Sequence, residues 1–321
     1  MLNLPIKRRE FLGLAALLAV PGFRLEPLFA STPKPALSLA QIKEAADQGN
    51  WSSLPAGERL CRVALYLAGL SIPYQGGSLD KDCSIEKCLV DLSSFDCVTF
   101  VETCLALSAL IAKSNSAKSN SVKTKIDWTN FDDLRKEITA LRYRYGIVDG
   151  YASRLHYTSE WLYQNCQNGR LALIRDLPGL TFLDFSKKLD FMTSHPSYYK
   201  QIGQVGSANF EKIARIENEI SKNVLASGFL KYLPKGQFAS LEKLPKDAGL
   251  QSGDIVFVTT AMPGLDILHL GIISREEDGL HFINASSSKG VNKVVKEKAP
   301  LAAALNWSKS INGAIFARPL I

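Results

Sequence analysis

The sequence predicts an α+β domain, a helical first part followed by an antiparallel sheet. Through roughly two thirds of the chain the apolar residues recur at helical spacing. In the last third they change to runs of β-branched and aromatic residues with two-residue alternation. The size agrees, since 321 residues that are 46% hydrophobic and 21% charged suffice for a sizeable core.

Residues 1–30 stand apart from that fold. Lys7-Arg8-Arg9 before Glu10-Phe11-Leu12 is a twin-arginine motif, and a short apolar run at 13–21 follows it. Leu28-Phe29-Ala30 then offers a small-residue cleavage point before Ser31. This is the pattern of an export signal. The apolar run is too short to be a stable membrane anchor, and no cysteine is there to carry a lipid. The expected destination is the periplasm or cell envelope. Residues 31–54 read as a linker and an N-terminal helix, and 55–321 as the main domain.

Within it, helical spacing covers 39–46 and 58–70. Gly76-Gly77 and Asp80-Lys81-Asp82 mark an irregular loop that leads to a helix from Cys97 to about residue 112. Ala112-Lys113-Ser114-Asn115-Ser116 is repeated as Ala117-Lys118-Ser119-Asn120-Ser121, so 112–125 reads as a solvated insertion. Further helices are expected at 128–145, 158–168 and 210–224, the first two closed by Gly146 and Gly169. Strands are expected at 253–259, 267–274, 280–286 and 315–319, with a hairpin turn at 276–279.

Charge narrows the partners. Removing residues 1–30 takes four cations (Lys7, Arg8, Arg9, Arg24) and two anions (Glu10, Glu26), and lowers the net charge from +7 to +5. That mild, dispersed excess suits an anionic polymer and is too unclustered for nucleic acid. All six cysteines remain: Cys61, Cys83, Cys88, Cys97, Cys104 and Cys166. An oxidising compartment permits Cys83 and Cys88 to pair. They are spaced one residue too far for a tight metal-binding pair and no second pair follows, so neither metal nor cofactor is expected.

Cys97 is the candidate nucleophile. It stands where the turn-like run Ser93-Ser94-Phe95-Asp96 gives way to an amphipathic helix. Helix-start amides stabilise a thiolate, while Asp96 opposes it, so a separate base is required. Cys104, on the same helix, is the contrasting packed cysteine. His269 is the candidate base. Alternation puts His269, Gly271 and Ile273 on one face of a strand, with Gly271 leaving open space beside the ring. The turn at 276–279 sets Arg275 opposite Leu280. His269 then falls opposite Ser286, with Asn284 as its diagonal neighbour, placed to fix the imidazole tautomer. His156, His195 and His281 are the competing histidines.

The ordered motifs DCVTFVE (96–102), GDIVFV (253–258), GLDILHLGI (264–272) and FINASS (282–287) resemble the NlpC/p60 superfamily of papain-like cysteine peptidases. LRYRYG (141–146), SRLHY (153–157) and FMTSHP (191–196) are similar to its N-acetylmuramoyl-L-alanine amidase-like branch. The resemblance covers about 55–320 apart from the insertion. It implies a papain-like core with the nucleophile helix on an antiparallel sheet, plus helical additions.

It also implies a cysteine amidase acting on muropeptides or peptidoglycan fragments, at the bond between the N-acetylmuramoyl lactyl group and L-alanine. Cys97 matches the nucleophile and His269 the base; Asn284 stands where many relatives carry a second histidine. Tyr74 is the expected extra oxyanion donor. Arg154, His156 and Tyr157 are the expected recognition cluster, with Asp96 and Asp266 as further substrate-binding residues. Three alternatives remain: a D-glutamyl–diaminopimelate endopeptidase, a non-catalytic wall-binding module, and an acyltransferase using the same thioester.

Overall fold

The structure, a computed structural model, describes residues 37–77, 79, 85–116 and 129–321. The export-signal motif, Cys83 and the second copy of the tandem repeat lie outside these residues.

Helix α1 (Leu39–Gln48) opens on a capping box in which Ser38 and Gln41 satisfy each other's amides. Helix α2 (Ala56–Gly69) buries Leu60, Val63, Ala64 and Leu67. Helix α3 (Cys97–Ser116) is apolar almost all round, with Phe100, Val101, Leu105 and Leu107 fully buried. Its first eighteen residues are long and apolar enough to cross a membrane. Here that composition serves a helix enclosed by protein on nearly every side. The helix also runs on to Ser116, past the end expected near residue 112.

Helix α4 (Phe131–Arg142) is shorter than the expected 128–145. Tyr143 leaves the helical conformation to bridge Arg154, and its buried hydroxyl donates to Glu86 at 2.6 Å. Tyr145 and Gly146 then take left-handed backbone. Helices α5 (Thr158–Gln167), α6 (Phe191–Ser194) and α7 (Ala208–Ile220) follow, and α7 continues through one π turn, Ser221–Leu225.

Among the described residues the sheet has eight strands: β1 (Leu171–Ile174), β2 (Leu183–Asp184), β3 (Lys231–Pro234), β4 (Ile255–Thr260), β5 (Ile267–Glu276), β6 (Gly279–Ser286), β7 (Lys293–Lys296) and β8 (Ile311–Pro319). Their order is β2-β3-β8-β4-β5-β6-β7, with β1 also on β8, and every pairing is antiparallel. Sequence reading misses β1, β2, β3 and β7, which have two to four residues each. Such strands are too short to show an alternation.

Both faces of the sheet are covered. Phe257, Leu270, Ile272, Ile283 and Ile315 belong to the core shared with α2 and α3. Val256, Val258, Ile273, Phe282 and Phe316 pack on the other side against Phe238, Leu241, Leu301 and Leu305. Beyond β7 the pairing continues into loop segments. Pro73 bridges Lys293, and Tyr74 bridges Phe95, two residues before α3. The chain then enters α3, which packs against β5 and β6.

α3 is tied to α4 by a buried ion pair. Arg142 Nε donates to Glu102 Oε2 at 2.8 Å, and Trp161 Nε1 donates to Glu102 Oε1 at 3.1 Å. Burial pushes the Glu102 carboxyl up, and Arg142 draws it back down. A pair this enclosed is costly to break from one side, because the remaining charge keeps its desolvation penalty. Glu102→Leu is therefore expected to lose about 3–5 kcal/mol in urea unfolding, and Glu102→Leu with Arg142→Met to lose less than that single change.

Candidate active site

The site begins with the capping of α3. Asp96 Oδ1 accepts from the Thr99 amide at 2.8 Å, and Thr99 Oγ1 accepts from the Asp96 amide at 2.9 Å. This is a reciprocal cap with threonine in the place usually held by Glu or Gln. It puts Cys97 at the first helical position, where its amide and that of Val98 have no intrahelical acceptor. The Cys97 side chain is buried. Asp96, expected among the substrate-binding residues, has its carboxylate engaged in this cap.

His269 lies on β5 beside an irregularity in the β4–β5 ladder. Val258 pairs with His269, whereas Thr259 pairs with Ile267, so Leu268 is the extra residue. The β5–β6 register sets Arg275 opposite Leu280 and Ile272 opposite Ile283. Continued three pairs further, it sets His269 opposite Ser286 and makes Asn284 its diagonal neighbour. The side chains meet: His269 Nε2 and Asn284 Oδ1 are 3.0 Å apart. Since that oxygen can only accept, Nε2 carries the proton. Nδ1 is buried and makes no hydrogen bond, to Cys97 or to any other described group.

The space beside the ring differs from the expectation. A Cβ on Gly271 would lie 2.6 Å from the Phe282 ring and 2.5 Å from the Ile283 carbonyl oxygen. The volume that glycine vacates is therefore filled. Phe282 meets His269 edge-on at 5.9 Å between ring centres, and Trp307 does so at 5.5 Å. The imidazole is thus held by two aromatic rings as well as by Asn284, and is only 7% exposed.

Burial lowers the His269 pKa below its ordinary value; the Asn284 hydrogen bond and the Asp96 charge act against that. Asp96 stands at the head of α3, and its charge is felt at the imidazole. A lowered pKa keeps His269 neutral at pH 7, the form a base needs. The unfolded chain takes up this proton first as pH falls, so the contribution to stability is present above about pH 6.5 and lost below it.

The remaining sequence-predicted residues occupy different settings. Tyr74 lies in the loop strand beside Phe95, its amide donating to the Asn292 carbonyl at 3.0 Å. It therefore sits close in the fold to the segment that delivers Cys97. Asp266 is fully buried and accepts from the Ser159 amide, 2.7 Å away in the first turn of α5. It anchors α5 to the start of β5. Arg154 is also buried, and its guanidinium grips both oxygens of Glu86 at 2.7–2.9 Å. The two-pronged hold expected for a substrate carboxylate is taken by an acid of the protein itself. Tyr157 donates to Glu217 at 2.6 Å and is fully enclosed. His156 Nε2 bonds the Tyr151 carbonyl at 2.8 Å, with the two rings 4.3 Å apart. The recognition cluster is thus drawn into internal contacts.

Sequence reading does not single out two acids, Glu86 and Glu297. Glu297 Oε1 accepts from Asn284 Nδ2 at 3.2 Å. Its position two residues beyond Val295, the cross-strand partner of Asn284, would reveal it only to a reader who already knew that β7 exists. The competing histidines have other partners: His281 bonds Asp278 and His195 the Phe191 carbonyl. A separate cleft of about 400 Å³ between the 144–153 segment and α7 includes Lys212 and Arg215 but none of Cys97, His269 and Asn284.

A model of the AmiA-like family, described as N-acetylmuramoyl-L-alanine amidase-like, matches residues 66–309. A solved N-acetylmuramoyl-L-alanine amidase from Bacteroides uniformis is 29% identical, with a TM-score of 0.64 over 82% of this chain and 98% of that one. A protein of Bacteroides fragilis named provisionally as a xylanase is 31% identical, with a TM-score of 0.60 over 80% and 99%. One from Legionella pneumophila, 20% identical with a TM-score of 0.57 over 88% and 97%, shares the fold. No curated protein matches the chain.

Titration of the His269 ring by NMR is expected to give a midpoint below the ordinary 6.5. Asp96→Asn keeps a good capping side chain and removes the charge that favours imidazolium, so the midpoint should fall further.

Proposed function

This chain belongs to the AmiA-like family of N-acetylmuramoyl-L-alanine amidase-like proteins, and from that premise we propose that it is a peptidoglycan amidase with a cysteine nucleophile. Its bond is the amide between the muramoyl lactyl group and L-alanine. The observation that carries the reading is the His269–Asn284 pair, which leaves Nδ1 with a lone pair and no partner near the capped head of α3.

In this mechanism Nδ1 of His269 takes the Cys97 proton, and the thiolate attacks the lactyl carbonyl. The tetrahedral oxyanion is stabilised by the amides at the start of α3, with the Tyr74 hydroxyl as a further donor. The imidazolium then protonates the departing L-alanine amine. Water hydrolyses the thioester with His269 again as base, which frees the muramoyl carboxylate and restores the thiol. Asn284 holds the ring throughout. The same reading takes the core as papain-like within the NlpC/p60 superfamily, and the twin-arginine motif as the route to the periplasm, where the substrate lies.

The xylanase name of one similar protein points to glycoside chemistry, which needs two carboxyl groups flanking a sugar bond. Two acids next to the His269–Asn284 pair and the head of α3, Glu297 and Asp96, are spent on holding Asn284 and on capping α3, which favours the amidase.

Purified protein incubated with defined muropeptides is expected to release the intact stem peptide with a free L-alanine amine, identified by mass spectrometry. Cys97→Ala should lower turnover by at least about 10³-fold. Undiminished turnover in that variant rules out the cysteine mechanism, and cleavage between D-glutamate and diaminopimelate assigns the endopeptidase instead.

A further inference from the structure

Strands β5 and β6 and the residue just past β7 place His269, Asn284 and Glu297 in a line. Asn284 is diagonal to His269 across β5 and β6. Glu297 is in turn diagonal to Asn284 across the β6–β7 pair, where Asn284 faces Val295. The Glu297 amide donates to the Phe282 carbonyl at 2.8 Å, which holds the backbone of the acid in register. Among the described residues no cation forms an ion pair with Glu297.

An asparagine amide presents an oxygen on one side and an NH2 group on the other, and a half-turn exchanges them. What decides between the two settings is the neighbour beyond. A carboxylate only accepts, so it draws the NH2 of Asn284 to itself and leaves Oδ1 for the imidazole. Oδ1 also only accepts, so it requires a proton on Nε2 and leaves the lone pair on Nδ1. With a donor in place of Glu297 the amide turns over. Its NH2 then needs a lone pair on Nε2, the proton moves to Nδ1, and the ring has no base to offer a thiol.

We infer that Glu297 is a positioning residue that sets the tautomer of His269 by fixing the orientation of the Asn284 amide. Glu297 touches neither His269 nor the reacting atoms; it acts only through Asn284. The consequence for catalysis rests on the amidase reading. The effect on the tautomer does not.

The test is a polarity series at position 297, read by nitrogen-15 chemical shifts of the His269 ring near pH 8, where an ordinary imidazole is neutral. Glutamate accepts only, Glu297→Gln can accept or donate, and Glu297→Lys donates only. The expected result is Nε2–H in the parent, a mixture in Glu297→Gln, and Nδ1–H in Glu297→Lys. On muropeptide, kcat should fall in the same order, by on the order of 10²-fold for the lysine variant, with KM little changed. A general loss of packing would not follow this order, and Glu297→Gln, nearly the same shape, remains informative even if the lysine variant does not fold. One tautomer common to the parent and its folded variants overturns the inference. A tautomer that follows the series in a protein that cleaves no muropeptide upholds the inference and removes the amidase reading.

Discussion

One hydrogen bond between neighbouring strands governs the chemistry available here. His269 donates through Nε2 to Asn284, which leaves the other ring nitrogen with its electron pair. The bond depends on register, and the register depends on the hairpin. Glu276 pairs with Gly279 across a two-residue loop, and every later pair of β5 and β6 is counted from that closure. Phe282 and Trp307 then limit ring motion, and the irregularity at Leu268 sets where the histidine leaves the β4–β5 ladder.

The arginines of the helical part illustrate a second constraint. Arg142, Arg144 and Arg154 all come from the stretch around α4 and the turn after it. Each is matched by an acid from another segment: Glu102 in α3, Glu160 in α5 and Glu86 in the loop before α3. These pairs join segments that hydrophobic contact alone would leave free to slide. Removing charge from water is costly, so each pair is satisfied only when its segments meet in one arrangement. Of these, the Arg142–Glu102 pair fastens α3, and with it Cys97, to α4, and the Arg154–Glu86 pair fastens the loop before α3.

Much of this was legible in the sequence where local rules dominate. The order of long helices and strands followed from periodicity, and the relation of His269 to Asn284 followed from turn length and alternation. The illegible parts depend on contacts between distant residues. Arg154 reads as a free recognition group until Glu86, 68 residues away, is seen to hold it. Gly271 reads as open space until Phe282 from the next strand fills it. β7, Lys293-Val294-Val295-Lys296, is too short and too polar to announce itself, so Glu297 could not be placed beside Asn284.

The shortness of the β5–β6 connection has a consequence for how such a protein can diverge. With Glu277 and Asp278 alone between the paired residues, adding or losing a single residue there would turn Asn284 to the opposite side of its strand. The ring would lose its acceptor although no side chain near it had been exchanged. Descendants of this chain can exchange Glu277, and Asp278 at the expense of its bond to His281, but can change the number of residues only if a compensating insertion or bulge arises at once. A tip that faces solvent and touches no reacting atom is thus under a length constraint as strict as any choice of residue in the interior.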